Sequence, residues 1–143
     1  MTLPTHFARA RKARRNFTPT EHDEQVALMQ WSEYAKGAHP ELDLLYAIAN
    51  GGKRHVKTAL SLQAEGVKKG VLDLHLPVPR GTFHGLYIEM KRRKGGALSP
   101  EQKEFRDKVE RQGYRTYVCK GWESARDAIL EYLALPVPQR FAA

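Results

Sequence analysis

A single cysteine, Cys119, is the only thiol in the chain, which excludes an internal disulfide. No apolar run approaches the roughly 18 to 20 residues of a membrane span, and the N-terminus lacks the apolar centre of a secretory leader. A cytoplasmic protein without membrane contact is therefore expected. Internal repeats are absent as well, and nothing of low complexity follows the first residues. Acidic side chains are missing from the first 20 positions, where Arg9, Arg11, Lys12, Arg14 and Arg15 stand without a counter-charge.

That asymmetry divides the chain. From Glu21 onward 19 basic side chains face 16 acidic ones, whereas the total formal charge is +8. Residues 1–18 read as a flexible basic arm, which can gain affinity for nucleic-acid phosphates by counterion release; a solubilising or targeting tail is the plainer alternative. Residues 19–136 read as one folded domain and 137–143 as a short tail. The length of 143 residues suits a single core.

Periodicity and punctuation give the expected elements. Thr20 as N-cap, acids at 21, 23 and 24, and Gly37 as a stop predict a helix over 21–36. Its apolar face reads as Ala27, Leu28, Trp31 and Tyr34, and Glu24 points with it. "LLYAIA" (44–49) predicts a buried strand ended by "NGG". A helix over about 53–65 follows, carrying Lys53, Arg54 and Lys57 in its first turns. Cations there oppose the helix dipole unless an external anion, such as a phosphate, lies close.

Strands over 71–76 and 85–91 flank the proline-containing connection "PVPRGTFHG". Alternation places Val71, Asp73 and His75 on one face of the first, and Tyr87, Glu89 and Lys91 on one face of the second. Antiparallel pairing across the connection brings Asp73 toward Glu89, and two such carboxylates repel unless a cation lies between them. Ser99, Pro100 and Gln102 then form a helix start, with Gln102 where a capping box needs it; "YRTYVC" predicts a strand and 123–134 a last helix. The resulting class is α/β: one domain, with a central mixed sheet flanked by helices.

Glu24, Asp73, Glu89 and Lys91 make a chemical set. Hard carboxylate oxygens suit Mg²⁺ or Mn²⁺, and a lysine beside them can hold a water. The plain alternative for Glu89 and Lys91 is an ion pair at an exposed strand end, contributing about 0 to 1 kcal/mol. "EQVALMQW", "ANGGKRH", "LQAEGVKKGVLDLHL", "LYIEMK" and "LSPEQKEF", in that order, resemble the PD-(D/E)XK nuclease superfamily, and within it the virus-type replication-repair nucleases (VRR-NUC). "EMK" alone would be weak; the ordered series is fairly specific.

The resemblance implies a restriction-endonuclease-like core. It implies that Asp73, Glu89 and the backbone carbonyl of Met90 ligate Mg²⁺ or Mn²⁺, with Glu24 as a possible further ligand. Lys91 would position the nucleophilic water, and Gln102 would reach the site from its helix unless it serves only as a cap. Leu72 stands where the superfamily has proline, which bears on how Asp73 is set. Lys68, Lys69, Arg92, Arg93 and Lys94 flank these positions and, with Lys53, Arg54 and Lys57, are expected to contact DNA. The activity implied is that of an endonuclease, foremost a homodimeric four-way-junction resolvase without an organic cofactor, in the host-cell cytoplasm if viral. Flap or single-strand cleavage, a non-catalytic module binding branched DNA, and an RNA-directed protein are the alternatives.

Overall fold

The computed structural model describes residues 17–49 and 56–143. Among these residues four helices, α1 (Glu21–Ala35), α2 (Val56–Ala64), α3 (Pro100–Arg111) and α4 (Trp122–Leu133), accompany four strands, β1 (Tyr46–Ala47), β2 (Leu74–Leu76), β3 (Leu86–Lys91) and β4 (Arg115–Lys120). Short 3-10 turns occupy Pro40–Leu44 and Gln139–Phe141. The strands form one mixed sheet in the order β1-β2-β3-β4: the first three are antiparallel, and β4 runs parallel to β3. Parallel neighbours require a crossover, which α3 supplies.

Thr20 closes α1 with a full capping box: its hydroxyl accepts the Asp23 N–H at 3.1 Å, and the Asp23 carboxylate accepts the Thr20 N–H at 2.8 Å. The buried positions of α1 are Glu24, Leu28 and Ser32, an i, i+4, i+8 row. Ala27 and Trp31 are half-buried at its edge. Tyr34, expected inside, is 89% exposed, because the row turns with Ser32 and leaves position 34 on the far flank. No helix among the described residues is long and apolar enough to cross a membrane.

Leu74, Leu76, Leu86, Ile88 and Met90 share the sheet face that packs with Leu28 of α1 and with Ala125, Ile129 and Tyr132 of α4. All of these core positions are at most 1% exposed. Burying each large side chain contributes about 1.5 to 3 kcal/mol. The Tyr132 hydroxyl, inside this core, donates to the Val78 carbonyl at 2.6 Å and ties down the proline-containing connection.

Two strands are shorter than their sequence suggests. Pro40 starts a 3-10 turn that takes in Leu44, so β1 keeps only Tyr46 and Ala47, both exposed at the sheet edge. β2 begins at Leu74 because the Asp73 side chain takes the Met90 N–H that continued pairing would give to the Leu72 carbonyl. The Asp73 carbonyl accepts the Ile48 N–H at 2.7 Å, and its carboxylate accepts the Met90 N–H at 2.7 Å. The start of the helix expected from 53 lies outside the described residues.

Candidate active site

The second sheet face carries His75, Tyr87, Glu89 and Lys91. His75 stacks on Tyr87 with ring centroids 4.3 Å apart, and its Nδ1 lies 2.8 Å from the Tyr46 hydroxyl. It is a packing histidine at the floor of an aromatic cluster that Phe105 of α3 and Tyr114 complete. Above this cluster, toward the C-terminal end of β3, the face becomes charged.

Extending the β2–β3 register one step past Leu74 and Ile88 sets Asp73 opposite Glu89. The charge of Asp73 is felt by the Glu89 carboxyl across this gap. Lys91 Nζ lies 3.1 Å from Glu89 Oε1. Neither partner is at an exposed strand end: Glu89 is 2% exposed and Lys91 7%. The surface ion pair weighed for these two residues is therefore a buried one, whose desolvation cost must be met by further contacts.

Gln102 supplies one such contact and fills both of its expected roles at once. Its Oε1 accepts the Ser99 N–H at 3.0 Å as the capping box requires, while its Nε2 donates to Glu89 Oε1 at 2.7 Å. The same Oε1 stands 3.4 Å from Lys91 Nζ. The helix cap thus holds the amide rigidly against the carboxylate.

Glu89 Oε2 is buried and meets no hydrogen-bond donor. Burial, and then the charge of Asp73, push the Glu89 carboxyl up to about 7; Lys91 and Gln102 act in the opposite sense. Asp73 is also raised, first by burial, against the lowering effect of the Met90 N–H. Two carboxylates beside one ammonium leave the pocket short of positive charge.

Leu72 is fully buried beside Asp73. The side chain and carbonyl of Asp73 are both hydrogen-bonded, so its setting does not depend on proline at 72. The Lys91 carbonyl accepts the Gly121 N–H on the β4 side, while the Met90 N–H faces Asp73 on the β2 side. Alternation along β3 therefore turns the Met90 carbonyl toward the Asp73 edge.

Glu24 is elsewhere. Its carboxylate accepts Arg93 Nε at 2.8 Å and the Trp122 N–H at 2.8 Å, within the core between α1 and α4. The residue of α1 that lines the cleft with Asp73 and Glu89 is Glu21, whose charge reaches Asp73. Sequence reading passed over Glu21 because its helix-dipole role explained it. The usable signal was exposure: a carboxylate on the apolar stripe is committed to the interior, and its neighbour one turn earlier is not. Arg93, expected on DNA, keeps a side chain that is 45% exposed but is paired with Glu24 and Glu123.

The cleft holds about 540 Å³ between α2, α3 and the loop before Asp73, and Lys68 and Lys69 lie on its wall. Gly70 makes this approach possible. Its φ is +84°, and a Cβ there would fall 2.4 Å from the Glu101 backbone at the start of α3. Lys68, Lys69, Arg92, Arg93 and Lys94 are exposed. Lys53 and Arg54 lie outside the described residues, as does the side chain of Lys57.

A domain model described as VRR-NUC domain matches residues 9–123. The chain belongs to the VRR-NUC family. A solved structure named VRR_NUC domain protein is 30% identical, with a TM-score of 0.71 over 82% of this chain and 90% of its own. No curated protein matches the sequence. A VRR-NUC domain implies a nuclease of the PD-(D/E)XK type that binds DNA, and such nucleases generally use divalent metals.

The residues present fit a divalent cation. The donorless Glu89 Oε2, the raised carboxyl pair and the all-oxygen chemistry of Asp73, Glu89 and the Met90 carbonyl are what a hard cation would satisfy. Among the described residues no three His, Cys, Asp or Glu side chains converge as a cage. Backbone and water oxygens would complete the shell, as Mg²⁺ commonly requires.

Proposed function

We propose that this VRR-NUC chain is a Mg²⁺- or Mn²⁺-dependent endonuclease that hydrolyses phosphodiester bonds in branched DNA, acting as a homodimer on four-way junctions. The observation that carries the reading is the pair of half-buried Asp73 and buried Glu89, with one Glu89 oxygen lacking a donor, beside Lys91 and Gln102 in a cleft walled by Lys68 and Lys69. A module that only binds DNA gains nothing from carboxylates facing phosphates.

Asp73, Glu89 and the Met90 carbonyl would hold the metal. When bound, it supplies neutralisation of charge building on the phosphate and a lowered pKa for water. Lys91, fixed by Glu89, orients that water through its ammonium hydrogens. Gln102 prevents Glu89 from swinging away, and Lys68 and Lys69 draw the backbone of the substrate over the opening. Two symmetric incisions of a junction need two such sites, which a two-fold dimer of single-site chains provides.

The test is cleavage of end-labelled four-way junction, flap, duplex and single-stranded DNA with Mg²⁺, Mn²⁺ or EDTA, alongside Glu89→Gln. Symmetric, metal-dependent junction cuts, slowed by a factor of about 10² to 10³ in the variant, are expected for a charge-stabilising group of this kind. Cuts confined to flaps or single strands would retain the nuclease and remove the resolvase. Junction binding without cleavage under any metal would leave a binding module.

A further inference from the structure

Glu24 is 1% exposed, on the apolar face of α1, at a position where a leucine would serve packing at least as well. Its carboxylate is nevertheless fully used. It accepts Arg93 Nε at 2.8 Å, Arg93 Nη2 at 3.4 Å and the Trp122 N–H at 2.8 Å. Trp122 is the first residue of α4, whose N-cap is Gly121, a residue without a side chain to satisfy the exposed N–H groups. Glu24 thus caps α4 from another helix, where a negative charge also suits the dipole.

Its second partner leads back to the active site. Arg93 stands two residues beyond Lys91, and Gly121 donates its N–H to the Lys91 carbonyl at 3.1 Å. Gly121 has φ of +85°, and a Cβ there would come within 3.2 Å of Arg93 Cζ, so the guanidinium lies directly over the turn. Arg93 Nη2 also donates to Glu123. The end of β3, the β3–α3 loop, the start of α4 and the buried face of α1 meet in this one knot.

We propose that Glu24 is a positioning residue. Through Arg93 and the α4 N-terminus it fixes the strand end that aims Lys91 and Glu89, and it does not hold the metal. The proposal rests on the nuclease reading above and adds a role that lies outside the cleft.

The full chain is compared with Glu24→Gln, Arg93→Ala, Arg93→Lys and the Glu24→Gln/Arg93→Ala double variant, at a temperature where all are folded by circular dichroism. Single-turnover junction cleavage should slow about ten- to a hundredfold in Glu24→Gln and Arg93→Ala, as for small misplacements of reacting groups. The double variant should be within about twofold of the slower single one, because one network is broken only once. Any loss of Mn²⁺ affinity by calorimetry should be the same in Glu24→Gln as in Arg93→Ala, and Arg93→Lys should recover part of the rate. A tenfold weaker Mn²⁺ affinity confined to Glu24→Gln would make it a ligand and overturn the proposal. Wild-type rates in Glu24→Gln or Arg93→Ala, or losses that multiply in the double, would overturn it too. Should the wild-type chain cut no DNA, the nuclease reading falls and amide exchange decides the knot: faster exchange at Gly121 in Arg93→Ala with an unchanged melting temperature upholds a held strand end, and unchanged exchange removes it.

Discussion

The two faces of β3 are built from alternate residues of one hexapeptide; both are largely shielded from water, and they differ in what they bury. Leu86, Ile88 and Met90 enter a dry core between the sheet and helices α1 and α4. Tyr87, Glu89 and Lys91 enter a pocket under α3 where two carboxyls, an ammonium and an amide crowd together. Each apolar residue lowers the free energy of folding; each charged one raises it unless its neighbours compensate. The core face is what allows the other to be strained: a strand clamped by Ile88 and Met90 cannot twist Glu89 out toward water.

The first way to break the comparison is one substitution on each face. Ile88→Ala should cost about 2 to 5 kcal/mol, as methyl and methylene groups are removed from a site that is 1% exposed. Chemical denaturation would measure it. While the variant stays folded, its cleavage rate should change far less than that of Glu89→Gln. In metal-free protein above pH 7, Glu89→Gln should melt no lower than wild type, since it removes a charge that the fold disfavours. Equal stability losses from the two would mean that the faces do not differ as described.

A second contrast lies in pH. The Glu89 carboxyl is raised from 4.5 to about 7. A raised acid means that the folded state binds a proton more tightly than the unfolded one. The associated stability is fully present below about pH 4.5 and is lost as pH rises through about 7. Metal-free protein should therefore lose on the order of 2 to 3 kcal/mol between pH 4.5 and pH 8 from this group. Mn²⁺ or Mg²⁺ should restore it at pH 8, and EDTA should remove the gain. Thermal melts across pH, with and without metal, read both effects. A flat profile in metal-free protein would show that Glu89 is charged without penalty.

The legibility of the sequence follows the same division between local and distant causes. Element order, both N-caps, the alternation on β3 and the meeting of Asp73 with Glu89 were readable, because each is set by neighbours or by a hairpin-like connection. Gln102 was readable in its two roles separately, and geometry joins them. Glu24 was not readable, since its partners Arg93 and Trp122 lie 69 and 98 residues away. Arg93 looked like its neighbours Arg92 and Lys94 in a basic run; it is exposed as they are, and only the fold gives it Glu24 and Glu123 as partners. Tyr34 went wrong through a modest rotation of the buried row, which a short amphipathic stretch does not specify. The strand over 71–76 was overlong because the Asp73 side chain, and not a backbone carbonyl, takes the Met90 N–H.

The smallest effect concerns the rim. Lys68 and Lys69 are exposed on the wall of a cleft whose floor is buried, so replacing both by alanine should leave stability within about 0.5 kcal/mol, as at ordinary surface positions. It should instead weaken junction binding and make the slope of log K against log[salt] shallower by nearly 2, at about 0.9 per phosphate contact. Binding in Ca²⁺ over a salt series would measure the slope without cleavage. The same substitution at Arg93 should leave the slope nearly unchanged, because its guanidinium already serves Glu24 and Glu123. An unchanged slope for the Lys68/Lys69 pair would place the DNA path off this wall. An Arg93 slope as large as theirs would mean that DNA draws the guanidinium out of its knot.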